Sequence, residues 1–377
     1  MTEKIAREQI WKILDDYDTE NLHIGVLGGH SALDVCNGAK KHGFKTLAVC
    51  REGREKTYTK YYKTRGDKGC IDETIVLKNF SDITKPEIVK RLQEMNTIFI
   101  HSRYFWVYFN FTEIETKFRV PIFGNRGLLK TEERDVRPNQ YDFLKNADIR
   151  MPKQFSDPKD IDRLTIVKTS EAYRGYERAF FFASSYDDYV KKSKELLERN
   201  VFTEESLKNG VIEEYVLGAQ VNFNYFYSSL NDELEIMGTD MRRQTNLDGL
   251  LRLPATQQIE VLNHTEPKYI ETGHVTCTVK ESLLEKGFDA GERFVKAVKN
   301  FPPGMIGPFA LQGAITPGPP KEEFVVFDVS MRIPGSPGTM FTPYSGYLYG
   351  QSISCGDRIA MEIKRAVKTE RLREVVT

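Results

Sequence analysis

Lys168 closes the apolar run LTIVK, and an ammonium at the end of a buried strand can reach phosphate oxygens as a point charge. A surface lysine at a strand end is the plainer alternative. The stretch VIEEYVLG carries the adjacent carboxylates Glu213 and Glu214, then Val216, between apolar flanks, although an edge strand with exposed acids has the same pattern. Asp328 lies in EFVVFDVSMR, where a carboxylate is costly unless it is paired or bound to a metal. Period-two alternation puts Asp328, Ser330 and Arg332 on one strand face. Asp328 could then hold a cation while Arg332 neutralises phosphate charge; a strand-end ion pair is the other reading. Gln312, in GPFALQG on the preceding strand, offers only an amide oxygen, a weaker ligand. The run Gly28-Gly29-His30-Ser31 joins an apolar strand to a helix, and backbone donors with a hydroxyl at a helix N-terminus favour anions. It is not a GxGxxG fingerprint, which argues against a nicotinamide enzyme.

The elements that must position these groups change character along the chain. An amphipathic helix is expected over residues 3–18, from the spacing of Ile5, Ile10, Trp11 and Leu14. LHIGVLG, KTLAVC, ETIVL, TIFI and VPIFG are short apolar strands, with helices between them as in a doubly wound parallel sheet. The polar, tyrosine-rich segment from Gly53 to Cys70 reads as a surface loop. Beyond residues 145–158, antiparallel-looking strands dominate, interrupted by helices near 186–200, 281–300 and 354–371. We therefore expect an N-terminal Rossmann-like domain over 1–127 and a mixed α+β domain over 128–377, with 150–217 as a smaller subdomain.

Composition narrows the partners. Lys plus Arg, 54, equals Asp plus Glu, 54, so no global basic excess draws nucleic acid. No run approaches the roughly 18 apolar residues of a membrane span, and the charged N-terminus lacks a signal-peptide core. Five scattered cysteines suit a reducing cytoplasm rather than a disulfide framework or a zinc site. The aromatics Phe180 to Phe182, Phe223 and Tyr225 to Tyr227 suggest either a homo-oligomer interface or core packing.

Taken in order, GGHSALDVCNGAKKHGF, VPIFGNRGLL, TIVK, IEEYVLG, YFYS, NLDGLLRLPA, KESLL, PPGMIGPFALQ and VVFDVSMRI span nearly the whole chain. This series resembles the archaeal formate-dependent 5-formaminoimidazole-4-carboxamide ribonucleotide (FAICAR) synthetase family, of the ATP-grasp superfamily. The resemblance implies an ATP-grasp fold, with ATP, formate and the aminoimidazole carboxamide ribonucleotide AICAR as substrates and Mg2+ or Mn2+ as the metal. It implies that the N-terminal domain holds the ribonucleotide and that 150–217 covers ATP. Lys168, Glu213, Glu214 and Val216 would then surround ATP, and Gln312 and Asp328 would face the metal. His30, with Gly29 and Ser31, would lie beside the ribonucleotide, to bind it or to move a proton; Arg332 would assist catalysis. Ser102, with Tyr104 as the alternative occupant, Arg126, Asn246 and Arg252 complete the implied substrate set.

The chain departs from this pattern after Lys168. The family's glycine-rich phosphate loop is replaced by TSEAYRGYERAFFFA, in which Arg174 and Arg178 either take over phosphate contacts or leave them weakened. Gln312 stands for an acid, and Asp328 for the more usual Glu. An ATP-grasp ligase with another acid or amine, or a nucleotide-binding protein with impaired catalysis, are therefore the alternatives.

Overall fold

The computed structural model describes residues 3–133, 136–169, 180–265, 269–318 and 321–377. Three sheets organise it. Strands β1 (His23–Leu27), β2 (Lys45–Arg51), β3 (Glu73–Leu77), β4 (Thr97–Ile100) and β5 (Ile122–Phe123) form a parallel sheet in the order β3-β2-β1-β4-β5. Both faces are covered, as parallel sheets require. On β2, Ala48 and Cys50 join one core with Val26, Ile98 and Val35, whereas Leu47 and Val49 join another with Phe99, Phe105 and Phe118. Alternation along the strand assigns each side chain to its layer. The helix Ala32–Lys41 packs on the first face, beside the helix Cys355–Lys368.

Strands β6 (Gln154–Phe155), β7 (Thr165–Lys168), β8 (Phe180–Ala183) and β9 (Val211–Glu214) form a small antiparallel sheet, β6-β9-β7-β8. The helix Tyr186–Glu198, capped by Ser185, covers it. Strands β10 (Ala219–Ser228), β11 (Glu233–Thr245), β12 (Tyr269–Cys277), β13 (Gly307–Thr316) and β14 (Glu323–Ser330) form the larger antiparallel sheet, β12-β11-β10-β13-β14. Phe223, Tyr225 and Phe309 pack there against Phe294 of the helix Glu281–Val298. This mixed architecture, a doubly wound sheet followed by two antiparallel layers, is the expected ATP-grasp arrangement.

The expected helices appear, shortened by a few residues at their ends. Two expectations need correction. The Gly53–Cys70 segment is not merely a surface loop: Tyr58 and Cys70 are buried, and the Tyr58 ring lies against Gly28. The aromatics Phe223, Tyr225, Phe226 and Tyr227 are core residues, so they lend no support to a homo-oligomer interface. All five cysteines are free thiols. No helix among the described residues is long and apolar enough to cross a membrane.

Candidate active site

The large antiparallel sheet lines up polar groups by register. Asp328 on β14 faces Gln312 on β13, Gln312 faces Asn222 on β10, and Asn222 faces Asp240 on β11. Directly cross-strand residues share a sheet face, so these groups form one row. The row opens toward the C-terminal edge of the parallel sheet, between β1 and β4, where connections leave in opposite directions. That is the switch point at which open α/β sheets bind ligands. His30 and Arg103, which follow β1 and β4, line the cleft there together with Arg242, Gln312, Ser330 and Arg332.

Local electrostatics are set by burial. His30 Nδ1 is buried and has no hydrogen-bond partner. Burial, reinforced by the Arg332 charge, lowers its pKa to about 4. Arg332 is buried with its Nε 3.5 Å from Glu132 Oε2, and Met331 N donates to the other Glu132 oxygen at 2.6 Å. Burial raises the Glu132 carboxyl, which the Arg332 charge pulls back down. Gln312 Nε2 donates to Ser330 Oγ at 2.8 Å. Asp328 lies 3.7 Å from Arg242. An oxygen pair from Gln312 and Asp328 on one face has the hard-donor chemistry that suits Mg2+ or Mn2+.

Lys168 and Glu213 point from β7 and β9 to the same side and form an ion pair. The buried Glu213 carboxylate also accepts from Tyr141 Oη at 3.1 Å. Glu214 must point to the opposite face, and there it accepts from Arg150 Nη2 at 2.9 Å and Lys153 N at 3.0 Å. The two neighbouring acids therefore cannot both face one nucleotide. Val216 lies in the link between β9 and β10 and is half-buried.

Other expected site residues are placed differently. Arg126 is buried, and its guanidinium donates to the carbonyls of Ile114, Phe118, Val120 and Thr377 at 2.5–3.0 Å, so it braces the chain and presents no phosphate contact. Ser31 Oγ donates to Pro334 O at 2.7 Å and makes no side-chain cap. Gly28 N donates to Val49 O at 2.7 Å, and the Tyr104 ring lies over Gly29. The helix Ala32–Lys41 therefore offers fewer N-terminal donors than expected. Ser102 is fully buried, with no partner for its hydroxyl. Asn246 and Arg252 lie beyond the end of β11 and do not line the cleft. Arg174 and Arg178 lie outside the described residues.

Sequence reasoning missed Asn222, Asn224, Asp240, Arg242, Glu271 and His274, which line the cleft. The signal was present. In VNFNYFYS the asparagines alternate with aromatics, the pattern of a strand with one polar and one apolar face.

A doubly wound parallel sheet followed by two antiparallel sheets is the architecture of an ATP-grasp ligase. The family described as "Protein of unknown function (DUF1246)" matches residues 24–155, and that described as "Domain of unknown function (DUF1297)" matches 188–377. The 5-formaminoimidazole-4-carboxamide-1-(beta)-D-ribofuranosyl 5'-monophosphate synthetase of Methanothermobacter thermautotrophicus is 39% identical over 99% of each chain. A crystal structure of an IMP biosynthesis protein from Thermococcus kodakaraensis superposes with a TM-score of 0.69 at 26% identity, covering 94% of this chain and all of that one. The N5-carboxyaminoimidazole ribonucleotide synthetase of Thermotoga maritima shares the fold alone, at a TM-score of 0.54 and 13% identity, over 91% of this chain and 76% of that one. The chain belongs to the 5-formaminoimidazole-4-carboxamide-1-(beta)-D-ribofuranosyl 5'-monophosphate synthetase family.

Proposed function

We propose that this chain is an ATP-dependent C–N ligase that joins formate to the 5-amino group of AICAR, giving FAICAR, ADP and phosphate in IMP biosynthesis. Formate is a poor acyl donor because oxide or hydroxide would have to leave. Transfer of the γ-phosphoryl group to a formate oxygen gives formyl phosphate and releases ADP. The amine then attacks the formyl carbon, phosphate departs, and the amine loses a proton. Bound Mg2+ or Mn2+ would supply positive charge to the phosphoryl oxygens. Gln312 and Asp328 are assigned to hold it. Lys168 is assigned to the phosphates as a point charge, and Val216 to the adenine edge through its backbone. Arg332 is assigned to the developing negative charge, and His30 to the ribonucleotide's reactive end. We place the reaction in the cytoplasm, with small molecules as its partners.

The observation that carries this reading is the convergence on one cleft of His30, from the parallel sheet's switch point, with Gln312, Ser330 and Arg332 of the antiparallel layer, Gln312 lying cross-strand from Asp328. The test is ADP release measured with AICAR and formate, each omitted in turn. The expected result is release that requires both. Faster turnover with another small carboxylate would instead favour a ligase of different acid specificity. The amide at position 312, tied to Ser330, is the observation on that side. Nucleotide binding without any release would mark an impaired enzyme.

A further inference from the structure

The cleft also carries nitrogen donors, from the turn after β1 and from β12, that suit a different kind of cation. His30, Glu271 and His274 each offer a ligand atom, and these atoms all lie within 4.8 Å of one another. Two features of β12 bring Glu271 and His274 together. On an unbroken strand, residues three apart point to opposite faces. Here the register slips: Arg243 pairs with Gly273 but Thr245 pairs with Tyr269, so β12 carries extra residues between them. Gly273, paired with Arg243 at the edge of that bulge, has φ +146°, a conformation that side chains disfavour. Bulges re-aim side chains next to functional sites.

The ring of His274 is oriented from behind. Its Nδ1 contacts Asp240 Oδ2, and Asp240 in turn accepts from Asn224 Nδ2 at 2.6 Å and Asn222 Nδ2 at 3.3 Å. Nε2 is thereby the nitrogen left for the cleft. A carboxylate behind a histidine is the usual support of a metal-ligating imidazole. The His30 ring lies so close against Gly335 that a Cβ there would fall 1.6 Å from its Cε1. Nearby guanidinium charge is offset: Arg332 lies 3.5 Å from Glu132, and Arg242 lies 3.7 Å from Asp328. Asp240 and Arg103 are the other charged groups on the cleft wall there.

We propose that His30, Glu271 and His274 form a site for a divalent transition-metal ion, zinc in type, separate from the oxygen-donor pair Gln312–Asp328. Two imidazoles and one carboxylate suit zinc and its neighbours, whereas magnesium takes oxygen ligands. Ligand atoms around tetrahedral zinc stand about 3.3 Å apart at bond lengths near 2 Å, so modest side-chain rotation closes the set. Three protein ligands leave a fourth position open to the cleft, for water or a substrate oxygen. With an ion seated, His30 serves as a ligand. The site does not depend on the identity of the acceptor, because its test reads metal and not turnover.

The full chain, stripped with EDTA, is titrated with Co2+ while its visible ligand-field absorption is followed, and Zn2+ is then added in competition. We expect one ion per chain, displaced by Zn2+ but not by excess Mg2+. Glu271→Gln, a change at an exposed position, and His274→Gln should each weaken binding at least about tenfold; Asp240→Asn, acting through His274, should weaken it about 10–100-fold. Absence of an absorption band in the unaltered chain, or unchanged affinity in both Glu271→Gln and His274→Gln, would overturn the proposal. So would displacement by Mg2+.

Discussion

At the scale of single residues, Lys168 shows how one side chain serves both stability and function. Its ammonium is the charge partner of Glu213, whose side chain is 2% exposed. Lys168→Met should weaken ADP binding at least tenfold, as titration calorimetry would register, and should cost about 3 kcal/mol of stability by stranding a buried carboxylate. Adding Glu213→Gln should restore most of the stability without restoring ADP affinity. Recovery of both would mean that Lys168 only neutralises Glu213. Two buried groups oppose each other in acid. Burial lifts the Asp34 carboxyl to about 6 and lowers His101 to about 4. A raised carboxyl disfavours the folded state once ionised, so Asp34 contributes stability below pH ~4 that is lost as pH rises through about 6. A lowered histidine does the reverse: its contribution is present above pH ~6.5 and is lost as pH falls through about 4. Asp34→Asn removes the first slope, so the variant should gain on the order of 2–3 kcal/mol at pH 7 and lose stability more steeply on acidification. Urea melts at pH 7 and pH 5 check this, and parallel curves for variant and parent would reject it. Lys168 was legible because a charge ending an apolar strand stands out. The roles of Asp34 and His101 were not, because depth of burial comes from packing that no local pattern carries.

At the scale of elements, close helix contact rests on small residues. The helices Ala32–Lys41 and Cys355–Lys368 meet at Gly38 and Gly356, where a Cβ on Gly38 would fall 2.2 Å from a backbone carbon. Backbone cannot yield as a flexible side chain does, so Gly38→Ala should destabilise by about 2–4 kcal/mol. Gly249 lies in the short helix Leu247–Leu250, where a Cβ would meet nothing within 4 Å and φ is not positive. Gly249→Ala should therefore be neutral or stabilising by less than about 1 kcal/mol. Thermal melts of the two variants should separate them, and equal effects would contradict the packing argument. Periodicity carried the elements themselves: hydrophobic spacing predicted the parallel strands and the long helices to within a few residues. It failed where register decides, as at the β12 bulge, because pairing between distant strands leaves no mark in either strand alone. Adjacent acids such as Glu213 and Glu214 misled for a related reason. The strand period separates them, and only the identity of each face says which one meets the ligand.

At the scale of the whole molecule, the linear cut at residue 127 leaves out part of the N-terminal unit. Ile359, Ile363, Ala366 and Val376 share a core with Val26, Ile98 and Val35. Thr377 and Ile122 exchange backbone hydrogen bonds, both at 2.9 Å, along the edge of β5. The other face of the helix Cys355–Lys368 belongs to the antiparallel sheet: Arg358 donates to Glu235 through Nε and Nη2, each at 2.8 Å, and to Glu362 at 2.9 Å. This helix therefore fastens the two lobes together around the cleft, and we propose 1–127 together with 354–377 as the N-terminal unit. Because Arg7 Nε donates to Val376 O at 3.0 Å, a short linker can join the last segment ahead of the first. A fragment of residues 1–127 alone should melt without cooperativity, since one face of its sheet loses the part of its cover that the helix Cys355–Lys368 supplies beside the helix Ala32–Lys41. The permuted fragment, 354–377 linked to 1–127, should melt as a single transition in calorimetry. A cooperative transition at the same temperature for both fragments would show that the first 127 residues hold their own core, and would return the C-terminal helix to the larger domain.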